Sequence, residues 1–355
     1  MNGGAGQPAC STTAHHGSRT MTQPTDTWRW NGYAFRAMNT KIQTWLFSQT
    51  DSEVLVDIQR FFHSVEKRLS RFDPDSELSR LNRSPYPVFR ASPMLMDALE
   101  VALWAAHATG GLFDPTVLNA LHQAGYSRSF EQIHTPAPLH QTGLALQTVA
   151  VPPPPALKPF SYRSIQLNRA RSEVSRPVGL EIDLGGMGKG WTVDRAADRL
   201  QGLGPFLINA GGDIYAYQTP PGKPGWSVDI VHPFKDGHFA ARLFLQHEAL
   251  ATSTIARRRW LQNGQIMHHL IDPRTGLPAH TDAVSVSVTA PRTVLAEIYA
   301  KVVLILGTDA GLEYLNQIPG VEGLIITANH QICYTHGLEA KLDRVDPSGY
   351  RDEQA

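Results

Sequence analysis

Apolar and polar residues change their period several times along the chain, and each change marks an element. From Thr27 to Phe47 the run TWRWNGYAFRAMNTKIQTWLF alternates large and small side chains. That period of two puts successive residues on opposite faces of a strand, so two early strands are predicted. Between Ser52 and Arg71 the apolar positions are Val54, Ile58, Phe61, Phe62, Val65 and Leu69, which line one face of a helix. Asp51 or Ser52 is placed to cap it. A second helix is predicted from Ser92, with Pro93 in its first turn and an apolar stripe through Leu95, Leu99, Leu103 and Ala106. Gly110 and Gly111 end it.

The pattern then breaks. Residues 130–160 have little periodicity, and VPPPP at 151–155 is incompatible with a helix or a central strand, so this stretch reads as a surface insert. Alternation returns in YRSIQLN and GLEIDLGG, and a helix follows from about Gly190 to Gly202. FLINAGGDIYAY, WSVDIV, HFAARLFLQ, ALATST, MHHLID and AVSVSVTA are strand-like, and a last helix is predicted over roughly Val294–Leu306. The mixture predicts an α+β fold with a sizeable, partly antiparallel sheet. One main domain over 25–340 is expected, with a polar tail at 1–24 and another at 341–355.

Composition narrows the function. The chain has 355 residues, with 32 basic and 32 acidic side chains, so no net positive charge is available to hold a nucleic-acid backbone. Two cysteines, Cys10 and Cys333, cannot make a disulfide framework or a four-thiolate metal site. No run of about 20 apolar residues is present to span a membrane. No apolar export segment precedes Cys10, which predicts a cytoplasmic protein and an unlipidated cysteine, with Met21 as an alternative start.

The densest chemical signal is EIDLGGMGKGWTVD at 181–194, where glycines at 185, 186, 188 and 190 lead into a helix. Glycines let a ligand approach the backbone, and a helix N-terminus offers free N–H groups to a phosphate. A P-loop is excluded, because Gly190 stands where Ser or Thr must follow Gly188-Lys189 and Asp183 stands where the first glycine belongs. The G-x-G-x-x-G spacing of a dinucleotide fold is also absent. On these residues alone a glycine-rich turn without chemistry stays open. HHLIDPRTG at 268–276 sets two histidines on opposite strand faces before a turn, and one of them is a candidate general base. GGLFDPT at 110–116 and NAGGD at 209–213 are further polar turns.

Together these runs resemble the ApbE family, the FAD:protein FMN transferases, in order and spacing. AMNT at 37–40 is similar to the family's A-M-G-T, SRFDPDSELSRLN at 70–82 to its S-x-[YF] run, and GGLFDPTV to its G-x-F-D-P-T. IDLGGMGKGWTVD, NAGGD and HHLIDPRTG follow in family order. The resemblance covers residues from about 30 to 310. It implies an ApbE-like fold of two intertwined α/β halves with FAD bound between them. It also implies that Met38 and Phe72 lie by the flavin or adenine, and that Leu112, Phe113 and Asp114 contact the nucleotide. Gly185, Gly188, Lys189, Trp191 and Asp194 would cradle the pyrophosphate, with His269 and Ile271 beside the scissile bond. The implied reaction has a Ser or Thr hydroxyl of an acceptor protein attack the FMN phosphorus, with AMP leaving and Mg²⁺ assisting.

Three departures bear on that activity. Thr252-Ser253-Thr254 replaces the family's T-S-G, and Asn39 replaces the glycine of A-M-G-T. The family's metal helix reads A-D-A-x-x-T, with the Asp and Thr as Mg²⁺ ligands beside the carbonyl at Gly188. Here Glu297 and Lys301 occupy those two places, and a lysine has no acceptor to offer a metal. Two readings follow, in different classes. One is an active, Mg²⁺-dependent flavin transferase. The other is an FAD-binding homologue without transfer activity, in which Glu297 and Lys301 form an i,i+4 ion pair.

Overall fold

The computed structural model describes residues 27–127, 130, 133, 161–262 and 265–346. The tail at 1–24 and almost all of the 130–160 insert lie outside them. The fold is organised on an eight-stranded sheet. From edge to edge its strands are Arg29–Ala37, Thr40–Ser48, Phe206–Ala210, Asp213–Tyr217, Glu248–Thr254, Ala283–Ala290, Glu322–Thr327 and Ile332–Tyr334. Every neighbouring pair is antiparallel.

The two predicted early strands form a hairpin whose turn is Met38-Asn39, both in the left-handed region at φ +51° and +57°. Asn at this position is the mild departure expected, since its short polar side chain tolerates that conformation. Gly211-Gly212 makes the next hairpin with the same sense, and a Cβ at Gly211 would collide with the side chain of Thr40. That close approach clamps the hairpin onto its neighbour at the end of the sheet where the candidate site lies.

One face of the sheet is covered by the Glu53–Leu69, Gly188–Leu200 and Thr293–Leu306 helices. Their apolar stripes form the main core with Ile42, Leu46, Ile208, Val286 and Val288. On the other face sits a three-stranded sheet ordered Leu342–Val345, Phe239–Leu245, Trp226–Val231. It presses Val228, Ile230 and Leu243 onto Leu207, Leu250 and Leu324. The Leu342–Val345 strand falls in the stretch expected to be a polar tail. Leu342 and Val345 pack against this second core, and the charged residues between them occupy the outer face.

Ser92 caps its helix as expected, its Oγ accepting from the Leu95 N–H at 3.3 Å, and Gly110 and Gly111 leave that helix at positive φ. Ser52 does not cap: its backbone is already helical, so its hydroxyl makes no bond to the first turn. GLEIDLGG joins no sheet. The Asn82 carboxamide takes a strand's place, donating to the Ile182 carbonyl at 2.8 Å and accepting from its N–H at 2.9 Å. Asn82 is buried, so Asn82→Ala strips both partners from a buried peptide. A stability loss of about 1–3 kcal/mol is expected in urea unfolding; an unchanged midpoint would show that the clip does not hold the segment.

Candidate active site

The glycine run opens the Gly188–Leu200 helix where that helix crosses the Thr293–Leu306 helix. A Cβ at Gly190 would lie 2.7 Å from the Thr293 carbonyl oxygen, so only glycine permits this approach. Asp194 completes the crossing. Its two carboxylate oxygens accept from the Thr293 and Val294 N–H groups at 2.7 and 3.0 Å, capping the second helix. The structure places Asp194 in a helix cap, and it lines neither of the cavities described below. Trp191 is likewise drawn into the core at 4% exposure.

The close crossing brings four charges together. Glu297 Oε2 accepts from the Gly190 N–H at 2.8 Å, while Oε1 faces Lys189 Nζ at 3.2 Å and Lys301 Nζ at 3.3 Å. Lys189 also binds Asp213, the last residue of the NAGGD turn. Burial pushes the Glu297 carboxyl up, but the two ammonium groups and the Gly190 N–H more than offset this and hold it well below the usual carboxylate range. Burial raises Asp213 against the pull of Lys189. Lys189 stays firmly protonated, because its two carboxylates outweigh the cost of its burial.

This donor set does not fit a magnesium ion. Mg²⁺ wants about six oxygens at near-octahedral geometry. Both Glu297 oxygens are already engaged by cations or an N–H group, and Lys301 brings a positive charge to the place of a ligand. The Gly188 carbonyl accepts from the Thr192 hydroxyl at 2.6 Å. Among the described residues no three His, Cys, Asp or Glu side chains cluster in a metal-binding group.

Two cavities meet at this cluster. The first, of about 320 Å³, collects Met38, Phe72, Leu112, Phe113, Asp114 and Ile271, the residues that the sequence runs had pointed to. The second is an open groove of about 860 Å³ over the sheet face. Gly185, Lys189, Arg258, His269 and Lys301 line both. Asp114 also orders its own turn, its Oδ1 accepting from the Thr116 N–H and hydroxyl at 2.8 and 2.7 Å.

The sequence reading passed over four residues of the first cavity. Arg71 stacks its guanidinium over Phe72 at 4.2 Å and Tyr126 at 4.7 Å, and its Nε lies 3.4 Å from Asp183. Arg71 and Asp183 stand inside quoted motifs, which was signal enough. Arg258 belongs to the run Arg257-Arg258-Arg259, and nothing in the local pattern separates it from a solvated turn. Tyr126 reaches the site only through tertiary packing on Trp260.

His269 stands at the junction. Burial, then the charge of Arg258, hold its pKa well below the ordinary 6.5, so the ring is neutral. The ring bonds the Arg258 backbone, and Nδ1 is buried with no hydrogen-bond partner. The altered Thr252-Ser253-Thr254 run lines the groove, with Thr254 Oγ1 donating to the Val284 carbonyl at 3.0 Å.

Residues 38–325 match the model of the ApbE family, and the chain belongs to that family. It is 29% identical over 320 residues to an FAD:protein FMN transferase of Treponema pallidum, covering 82% of this chain and 81% of the relative. An Escherichia coli protein of the same name is 25% identical, with 79% and 77% covered. Among solved structures, an ApbE protein from Thermotoga maritima superposes with a TM-score of 0.75 at 23% identity, covering 88% of this chain and 99% of that one. The flavin transferase ApbE from Vibrio cholerae superposes at 0.70 and 22% identity, covering 89% and 100%. Both solved structures share the fold. No helix among the described residues is long and apolar enough to cross a membrane.

The neighbouring His268 has a different task. Its Nε2 donates to the Ala279 carbonyl at 3.0 Å and its Nδ1 accepts from the Leu270 N–H at 3.3 Å, which locks the neutral tautomer and the loop carrying His269. Burial lowers its pKa to about 4. The unfolded chain protonates this ring near 6.5, so its contribution is complete above that pH and is lost as the pH falls from about 6.5 toward about 4. The loss amounts to at most about 3 kcal/mol. Urea unfolding of the parent and of His268→Asn, compared at pH 7 and near pH 4.5, should show the parent losing more; equal losses would refute this role.

Proposed function

We propose that this protein transfers FMN from FAD to a Ser or Thr hydroxyl of an acceptor protein. The observation that carries the reading is the meeting of an aromatic-lined cavity and a larger groove at one junction of lysine and arginine side chains, beside a neutral histidine whose Nδ1 has no hydrogen-bond partner. A nucleotide half of FAD occupies the first cavity against Phe72, Tyr126 and Leu112. The diphosphate reaches Lys189, Arg258 and Lys301, whose charges match it. The hydroxyl enters from the groove and attacks the FMN phosphorus. A new P–O bond to the acceptor forms, the bridging P–O bond breaks, and AMP leaves with that electron pair. His269 takes the hydroxyl proton, which its low pKa leaves it free to do at neutral pH. A protein that only stored FAD would need neither an open groove nor a histidine nitrogen held without a partner.

Magnesium, which the family resemblance implies, has no step in this account. The half-buried ammonium of Lys301 supplies the fixed positive charge beside the phosphates, and Glu297 serves as its counter-ion.

Mixing the protein with FAD and a candidate acceptor, and weighing the acceptor by mass spectrometry, tests transfer directly; an acceptor never modified under any condition would end the reading. His269→Ala should lower the turnover rate by about 10²–10⁴ while FAD affinity stays near that of the parent. The acid limb of kcat/KM should fall below the 6.5 of an ordinary histidine. Chelation should leave the parent's rate unchanged, and Lys301→Thr should weaken FAD binding in chelator. A parent that stops in EDTA would restore the metal.

A further inference from the structure

The groove extends well beyond the reacting atoms, and its far part has no use in the account above. One wall is the strand Trp226–Val231, an edge of the three-stranded sheet that pairs only with Phe239–Leu245 among the described residues. The groove is lined by Trp226, Ser227, Val228, Asp229 and Val231, residues from both faces of that strand, so it runs along the strand's free backbone edge. The opposite wall is Lys41, Gln43 and Trp45 of the early hairpin. An unpaired edge is a row of unmatched N–H and C=O groups that proteins usually blunt with lysine, proline or a bulge. Here the blunting stands at the two ends, Lys223 and Pro224 just before Trp226 and an irregular register at Ile230/Val231 with Pro233 beyond, and the stretch between them carries none. Val231 and Trp45 remain 44% and 36% exposed.

Charge adds a second observation. Asp229 is neutralised by Arg242 across the strand pair, with bonds of 2.5 and 2.9 Å. Lys41 and Arg257 line the groove, are exposed, and pair with no acid among the described residues. The groove is therefore basic away from the junction as well as at it.

We propose that the Trp226–Val231 edge and this basic groove are the docking site for the acceptor. An extended, acidic segment of the target adds as a fourth strand and presents its Ser or Thr hydroxyl at the Lys189–His269–Lys301 junction. The inference rests on the transferase reading. Six residues of edge span about 20 Å, enough for strand pairing to fix the register of one hydroxyl. Backbone pairing supplies affinity with little demand on side chains, Lys41 and Arg257 select against basic segments, and Trp45 offers an apolar contact to alternate residues.

The test uses two synthetic peptides that alternate valine with polar residues around one threonine, one carrying aspartates and the other lysines. Binding is read without FAD from tryptophan fluorescence, since Trp45 and Trp226 line the groove; transfer is read with FAD by peptide mass. The acidic peptide should bind and be modified at least about tenfold better than the basic one. Methylating its backbone nitrogens at alternate residues, in both phases, should abolish binding in one phase only. Lys41→Glu with Arg257→Glu should remove the preference for acid while leaving FAD affinity at the parent level. Equal binding of both peptides, indifference to methylation, or loss of FAD affinity in the double variant would overturn the proposal, the last because the groove would then hold part of the nucleotide. Peptide binding without transfer would leave the groove standing and remove the transferase reading instead.

Discussion

The site depends on one buried carboxylate. Glu297 bonds the Gly190 N–H and faces two ammonium groups, so it fixes the crossing of the two helices and the position of both lysines at once. Each of these charges alone is costly to bury, and the group is tolerable only because it is complete. Removing Glu297 leaves Lys301 without its counter-ion and unties the first turn of the glycine helix. Gly190 is the steric side of the same constraint, for the helices must approach within a Cβ of each other before the carboxylate can reach across.

Charge replacement at this crossing also accounts for how a family member can keep its cavities and alter its metal helix. The family resemblance implies an aspartate and a threonine at 297 and 301, where this chain has Glu297 and Lys301. A glutamate is one methylene longer, and here it turns back to the helix N-terminus. The lysine one turn later brings a second ammonium to the same carboxylate. The two residues act together: Glu297 gives the half-buried Lys301 a counter-ion, and Lys301 adds to the compensation that Lys189 and the Gly190 N–H give Glu297.

Much of this was legible in the sequence, and the parts that were not share a cause. Periodicity located the hairpin and the long helices because each has one apolar face, and the quoted motifs located most of the first cavity. Asp194 and Trp191 sat inside a genuine motif, but a motif marks residues that must be kept without saying what they touch. Asp194 is kept for a helix cap and Trp191 for the core. GLEIDLGG looked like a strand because it alternates, and Asn82, 100 residues earlier in the chain, supplies the pairing that a strand would have supplied. The groove was invisible because it is made by strands far apart in sequence, none of which carries an unusual residue pattern.

The early hairpin has a consequence for how the protein is made. Leu46 lies opposite Phe206 in the sheet, a separation of 206 − 46 = 160 residues. At roughly 5–20 residues per second, synthesis needs roughly 8–32 s to deliver the partner strand after the hairpin has emerged. During that interval the outer edge of Thr40–Ser48 has no neighbour, and of the elements that cover Ile42 and Leu46 only those close in sequence, such as the Glu53–Leu69 helix, have been made. Lys41 and Gln43, spaced between the apolar residues, keep the waiting strand polar on one face. The same side chains that border the finished groove thus guard the nascent chain against pairing with the wrong edge.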